Sequence, residues 1–324
     1  MIEPVPEPGP LGAVSIVLNP AAGRGGARQA RIRLEDELSR RGIRFALHVT
    51  SASGDAVSLA EREALAGTAV IVACGGDGTV NEVATGLLRA RERDASVRAA
   101  LAVVPVGTGN DFAKLLGTTG SFDAAVEAIV NGPVRLFDSG IAEWVGGEAR
   151  FVNAFGTGID VEVVRQIRQQ SLPGTLTYFV GLARALVRYR AIPIRLRTNE
   201  RTIESRVMMI AIANGRYVGG SFNICPAALP DDGAFDVCVI REVSLAATPR
   251  LAARIVRGTH AGHPAVEFLR TSAAEVEVTG GAPLFFQADG ELYEPPEARS
   301  VRVRLLPATL PVRVAPRNRG QPAE

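Results

Sequence analysis

The segment CGGDGTVNEV at residues 74–83 places three glycines, an acid and several hydrogen-bonding side chains within ten positions. Gly75, Gly76 and Gly78 let the backbone turn tightly and bring its N–H groups up to phosphate oxygens with no Cβ in the way. The segment follows the apolar run AVIVA and precedes a helical period of Val83, Ala84, Leu87 and Leu88, so a helix N-terminus adds partial positive charge. Asp77 would repel a polyphosphate unless it held a metal, a water or a positioning hydrogen bond, which places it in a Mg2+ and phosphate arrangement. Thr79 and Asn81 can donate to phosphate, Val80 lies between them in the same loop, and Glu82 can cap or orient it. An ordinary strand-to-helix turn also uses glycines, with one Asp as a cap.

Two further loops weigh against that plainer reading. PVGTGNDFAK at 105–114 follows the strand-like ALAVVP and supplies Gly107, Thr108, Gly109, Asn110 and Asp111. NPAAGRGG at 19–26 leaves the first apolar run, with Asn19, Pro20, Gly23 and Gly25 as its contacts. Three strand ends would then offer donors to one crevice, beyond the carboxyl edge of an open sheet where ligands of such folds bind. The chain has no GxxxxGK[ST] and no GxGxxG opening a helix, which excludes P-loop and dinucleotide folds.

The elements that must carry these loops follow from periodicity. Ala13–Leu18, Ile43–Val49, Ala69–Ala73 and Ala100–Pro105 read as strands of a parallel sheet covered on both faces. Between them Ala27, Ala30, Leu34 and Leu38 form a helical stripe. Asp55 and Ser121 stand at N-cap positions of two further helices, and Gly132 closes the second. Beyond Phe151 the pattern changes to strands at Phe151–Phe155, Ile194–Thr198, Arg206–Ala213, Phe235–Ile240, Ala274–Thr279, Leu284–Gln287 and Val301–Leu305. Helices interrupt this half near Ile159–Gln169 or Thr175–Arg190, and near Pro249–Arg257. The expected fold is therefore an N-terminal open parallel α/β sheet domain over residues 11–143 and a β-sandwich-like domain over 144–305, with the active site in the cleft between them. Residues 306–314 could return to the first domain, and 1–10 and 315–324 read as flexible tails.

NPAAGRG, GGDGTVNEV and PVGTGNDFAK resemble the three nucleotide loops of the diacylglycerol kinase catalytic domain, found in bacterial lipid kinases and sphingosine kinases. LPDDGAFDV (229–237) and QADGE (287–291) resemble that family's β domain, so the likeness covers most of residues 13–314. The GGDG core alone is shared with NAD kinases. The resemblance implies ATP bound by Asn19, Thr50, Gly75–Asn81 and Thr108, and a catalytic carboxylate at Asp289 or Glu291. A lipid hydroxyl needs a group to accept its proton as it attacks the γ-phosphate, and Asp289 is preferred for that role with Glu291 as partner or alternative. The family likeness further implies a structural Mg2+ held by Asp232 and the main-chain oxygens of Leu229 and Ala234. It also implies that Asp138 joins Asp77 and Asp111 in a metal and water network. A hairpin turn is the plain reading of DGE, and a strand-end turn that of Asp138.

The rest of the sequence bounds these readings. Its 324 residues are 47% hydrophobic and 22% charged, with a net charge of +2, a balance that gives no domain-wide basic excess for nucleic acid. Three cysteines without ligand spacing argue against a disulfide framework or zinc site and for a cytoplasmic setting. No apolar run is long enough to span a bilayer, so a lipid substrate would be met peripherally, at the inner membrane surface. Homodimerisation is left open. His260 and His263 read as a solvated loop rather than a metal pair, and Cys74 as a small buried hydrophobe. TYFVGLARALVRYR at 177–190 reads as a helix packed on the β domain, or as an interfacial one. An NAD kinase-like enzyme acting on a soluble acceptor, and a non-catalytic nucleotide- or lipid-binding regulator, are the alternatives.

Overall fold

The computed structural model describes residues 12–168, 189–220, 222–244 and 246–316. The segment 177–190 lies almost wholly outside them, as do the N-terminal tail and the chain beyond 316. The chain divides into two compact units, one formed by residues 1–137 and 309–324, the other by 138–308.

In the first unit β1 (Val14–Leu18), β2 (Phe45–Val49), β3 (Val70–Gly75) and β4 (Ala100–Pro105) form a parallel sheet. Its order is β4-β3-β1-β2. Between them run α1 (Gly26–Arg40), α2 (Asp55–Leu65) and α3 (Asp77–Arg93), and after β4 come α4 (Asp111–Leu115) and α5 (Phe122–Asn131). β1 and β3 are buried at every position, because helices cover both faces, which is why their sequences show no alternation. Val14, Ile16, Leu18, Val70, Val72 and Cys74 pack under Leu34 and Leu38 of α1 and Val126 and Ile129 of α5. Ser121 caps α5, its hydroxyl accepting the Ala124 N–H at 3.2 Å. Asp55 is not the cap expected of it: Gly54 is, in a left-handed conformation. The Asp55 carboxylate instead turns back to accept the N–H groups of Ser51 and Ala52 and the Ser51 hydroxyl, bonds that hold its carboxyl below the usual range.

The chain passes out of the first unit in β5 (Val134–Trp144), which continues to β6 (Gly147–Phe151), β7 (Ala154–Gly158), α6 (Ile159–Arg168), β8 (Ile192–Thr198) and β9 (Thr202–Ala213). After them come β10 (Tyr217–Val218), β11 (Phe222–Asn223), β12 (Phe235–Arg241), α7 (Thr248–Val256), β13 (Val266–Thr271), β14 (Ala273–Val278), β15 (Phe286–Ala288), β16 (Glu291–Tyr293) and β17 (Ser300–Arg313). The division at 137/138 thus falls inside an unbroken strand, where no shift of composition marks it.

The second unit is antiparallel throughout, with β9 paired to β7, β8 and β12. Ile210 and Ile212 of β9 face one core, with Phe155, Phe235, Val237 and Phe286. Met209, Ala211 and Ala213 face another, with Cys238, Ile240 and Leu251. Period-two alternation across a strand buried on both faces accounts for its unbroken apolar run. Together the units form an N-terminal α/β sheet domain and a C-terminal β-sandwich-like domain. Val312 of β17 pairs with Leu101, adding a strand beside β4 in the first unit. Among the described residues no helix is long and apolar enough to cross a membrane.

Candidate functional site

The three glycine loops of the first unit meet. β3 ends at Gly75, and the helix that follows starts at Asp77, so Gly78 and Thr79 lie in its first turn. The Gly107 and Gly76 backbones touch: a Cβ on Gly107 would stand 2.6 Å from the Gly76 Cα. Gly23, at φ +63°, presses against Val106 so closely that any side chain would overlap the Val106 carbonyl oxygen. Val106 N–H donates to the Gly75 carbonyl at 2.9 Å, and Asn19 N–H to that of Cys74 at 3.1 Å. Asn19 also reaches across with Nδ2 to the Thr79 hydroxyl at 3.2 Å. Glycine at these positions is therefore a matter of packing between loops as well as of room for a ligand.

The acids and amides are held by main-chain bonds. Asp77 Oδ1 accepts the Phe112 N–H at 3.2 Å, which brings the starts of α3 and α4 together. Asp111 is buried, with Lys114 Nζ at 2.7 Å from Oδ1. Asn110 has φ +51° and donates through Nδ2 to the Gly107 carbonyl at 2.8 Å, and its buried Oδ1 has no donor among the described residues. Thr108 is exposed, Thr79 and Val80 are buried, and Asn81 is half-buried. Thr50 follows β2, its N–H donating to the Leu18 carbonyl at 2.9 Å, while Pro20 lies exposed on the loop after β1. Glu82 serves the neighbouring helix: its carboxylate accepts the N–H groups of Gly54 at 2.9 Å and Ala56 at 3.2 Å. Cys74 is fully buried, and burial pushes its thiol up to about 12.

In the second unit Asp289 and Gly290 are the two corner residues of the β15–β16 hairpin, with φ of +49° and +83°. Two positive values in a two-residue loop define a type I′ turn, the geometry that favours Asp-Gly. The turn does more than reverse the chain. Asp289 Oδ2 accepts the Val152 N–H at 2.7 Å, and Oδ1 accepts those of Asn153 and Ala154, each at 2.9 Å. A carboxylate has about four lone-pair sites, so this one is aimed by the main chain with little freedom left. Glu291, the first residue of β16, is exposed.

Asp138 is almost fully buried, and its two oxygens accept the N–H groups of Gly233 at 2.8 Å and Ala308 at 2.7 Å. Burial raises its carboxyl, and Asp232 and Asp231 add to the effect against the pull of the two donors. Asp236 is raised by burial too, with Arg270 opposing and Asp232 adding. Asp232 itself accepts the Ala234 N–H at 3.2 Å and pairs with Arg270, while Leu229 is exposed. Asp138 is thus a clamp on the 230–233 turn, and any part in a metal network would draw on its remaining lone pairs. His260 departs from the solvated loop expected of it. It is fully buried against Phe268, with Nε2 3.0 Å from the Ile224 carbonyl, which makes that nitrogen the donor.

Comparison with known proteins decides the family. The diacylglycerol kinase catalytic domain matches residues 13–142, and the YegS C-terminal NAD kinase beta sandwich-like domain matches residues 153–314. A "probable lipid kinase YegS-like" of Stenotrophomonas maltophilia (strain K279a) is 33% identical over 82% of this chain and 85% of its own length. The chain belongs to the diacylglycerol kinase catalytic-domain, YegS-like lipid kinase family. A diacylglycerol kinase of Bacillus subtilis (strain 168) is 29% identical over 85% of this chain and 88% of its own. A crystal structure of a diacylglycerol kinase from Bacillus anthracis str. Sterne shares the fold, with a TM-score of 0.70, 21% identity, and coverage of 94% and 97% of the two chains. Membership of this lipid kinase family supports phosphotransferase function at the level of the family.

Use of Mg2+ is implied by the family, and the donors here suit it in kind. Asp77 and Asp111 stand at adjoining helix starts, and the Asn110 oxygen next to Asp111 lacks a donor among the described residues. In the second unit Asp138 and Asp236 are raised chiefly by burial, with Asp232 adding a smaller push to each, and carboxylate oxygens are donors of the kind a hard cation takes. Among the described residues no group of three or more His, Cys, Asp or Glu side chains forms a metal cage. Main-chain and water oxygens would therefore complete either set. The residues the sequence reading missed are Asp160 and Gln287, whose bond spans 127 positions, and Asn214, which donates to the Asp138 and Val152 carbonyls.

Proposed function

We propose that this protein transfers the γ-phosphoryl group of ATP to the hydroxyl of a lipid, of the diacylglycerol, related glycerolipid or sphingoid-base class. The observation that carries the reading is the contact of Gly76 with Gly107 and of Gly23 with Val106. It gathers the N–H groups of three loops and two helix starts at one rim of a parallel sheet, the arrangement that suits a polyphosphate. Asn19, Gly23, Thr50, Gly75–Glu82, Gly107, Thr108, Asn110 and Asp111 would then be the nucleotide's surroundings, with Glu82 acting at one remove through α2.

In the reaction the lipid oxygen forms a bond to the γ-phosphorus, the bond from that phosphorus to the bridging oxygen breaks, and ADP leaves. The hydroxyl proton passes to a carboxylate of the DGE turn. Phosphoryl transfer runs through a loose transition state in most analyses, so the demand on the accepting group is placement before basicity. Asp289, aimed by three main-chain donors, meets that demand, with Glu291 beside it. Bound Mg2+ would neutralise charge on the phosphates, held by Asp77 and Asp111, and a second ion would tie down the 229–234 turn through Asp232 and the Leu229 and Ala234 carbonyls. The lipid would be reached from one side of a bilayer.

Incubating the purified protein with labelled ATP, Mg2+ and a total lipid extract should give a labelled phospholipid, identified by mass spectrometry. Asp289→Asn should lower turnover by at least 100-fold and leave ATP affinity within threefold. Tight ATP binding with no product from any lipid would favour a regulator, and a product only from soluble nucleotides would favour an NAD kinase-like role.

A further inference from the structure

Gln287 lies two residues before Asp289, and its side chain points away from solvent. It is 2% exposed and bonded at both ends. Its Nε2 donates to Asp160 Oδ2 at 2.7 Å, and its Oε1 accepts the Gly290 N–H at 2.7 Å. Asp160 lies in the first turn of α6 and is 8% exposed. These two bonds fix which way the amide faces. Turned over, it would set an oxygen against the Asp160 carboxylate and an N–H₂ against the Gly290 N–H, losing both bonds and leaving buried groups unpaired.

The neighbouring strand is built around the pair. Gly156 of β7 sits opposite Gln287 in register, and a Cβ there would overlap the Asp160 carboxylate and come within 2.7 Å of Gln287 Nε2. Gly156 has no positive φ to explain a glycine, so space for this bond is the reason for it. Gly290 is the residue between Asp289 and Glu291, so the Gln287 amide fixes the second corner residue of the turn, as the Asp289 carboxylate and the Asp289 N–H, which donates to the Ala154 carbonyl at 2.9 Å, fix the first. A hydrogen-bonded second layer of this kind sets the placement of a reacting group, and misplacement by about 1 Å can cost on the order of 100-fold in rate.

Resting on the kinase reading, we infer that Asp160 and Gln287 are positioning residues that hold the Asp289–Glu291 turn in its working geometry through the Gly290 N–H. Neither touches substrate in this scheme; both act through the turn.

The test uses the full chain and four variants: Gln287→Leu, Asp160→Leu, Gly156→Ala and the conservative Asp160→Asn, whose Oδ1 can still accept from Gln287. Two readouts are taken on each, the exchange rate of the Gly290 amide and the steady-state kinetics of lipid phosphorylation. Gln287→Leu, Asp160→Leu and Gly156→Ala should speed Gly290 exchange at least tenfold and lower kcat at least tenfold, with KM for ATP within twofold. Asp160→Asn should recover at least a third of kcat and most of the protection. Unchanged Gly290 exchange in soluble, folded variants would overturn the assignment, as would faster exchange with full kcat, or Asp160→Asn as damaged as Asp160→Leu. A wild-type chain that phosphorylates no lipid would sink the kinase reading and this role with it, and is told apart because only then is the unmutated protein inactive.

Discussion

Replacing Asp160 by Asn should change stability in a manner set by pH. Burial raises the Asp160 carboxyl from 3.8 to about 6, with the Gln287 bond pulling the other way. The folded protein therefore holds this proton more tightly than the unfolded chain does. The stabilisation from that proton is full below about pH 4 and is lost as pH rises through 6. At pH 8 the ionised, buried group costs about 3 kcal/mol relative to its protonated form, from a shift of roughly two units at 1.36 kcal/mol each. Asn carries no charge at any pH, so the stability of Asp160→Asn minus that of the wild type should rise by up to ~3 kcal/mol between pH 4 and pH 8. The chain has one tryptophan, and Trp144 packs edge-on against Phe286 at 5.0 Å in the core that also carries β15. Its fluorescence during urea unfolding thus reports on the second unit by itself, which a two-unit chain requires. With a urea slope of about 2 kcal/mol/M, the gap between the two midpoints should widen by roughly 1 to 1.5 M across that pH range. A gap that stays constant, or that widens toward acid, would refute the claim that the buried carboxylate is strained at neutral pH.

Gly107→Ala should lower ATP affinity at least tenfold by calorimetry and cost on the order of 1–3 kcal/mol in stability, because its Cβ would press on the Gly76 backbone, which has no slack to give. The three thiols should be silent toward Ellman's reagent at pH 8 in the native protein and react together on unfolding, since all are buried, with Cys74 and Cys238 pushed up to about 12 and Cys225 well above its ordinary value.

The α/β half was legible because each glycine loop there is a contiguous stretch that leaves a buried strand, and two of them run straight into a helix. What the sequence could not show is how the stretches meet. Nothing near Gly76 says that Gly107 is its neighbour, and the bonds of Glu82 run to Gly54 and Ala56, far up the chain. The second half was harder for the same reason. Asp160 reads as an ordinary acid at a helix start, and its partner arrives 127 residues later. Asp138 reads as a turn residue, and its clamps lie 95 and 170 positions away. The DGE triplet reads as a hairpin corner, which Asp289 and Gly290 form, while the three main-chain N–H groups that bind the Asp289 carboxylate come from 135–137 positions away and leave no mark on the triplet. The burial of His260 is not legible because its own loop looks polar, while the groups that enclose it are Ile224, just after β11, and Phe268 of β13.

The route of β17 bears on how the chain is made. Its stretch at Val312, which lies against Leu101 of β4, leaves the ribosome only after all of 138–308 has been synthesised. Until then the nascent α/β unit carries β4 with one flank of N–H and C=O groups unsatisfied, an open edge of the kind that invites association with other chains. The inserted β unit can complete its own pairing first. Folding in the cell would then run inside out, with the middle of the polypeptide settled before its two ends are joined.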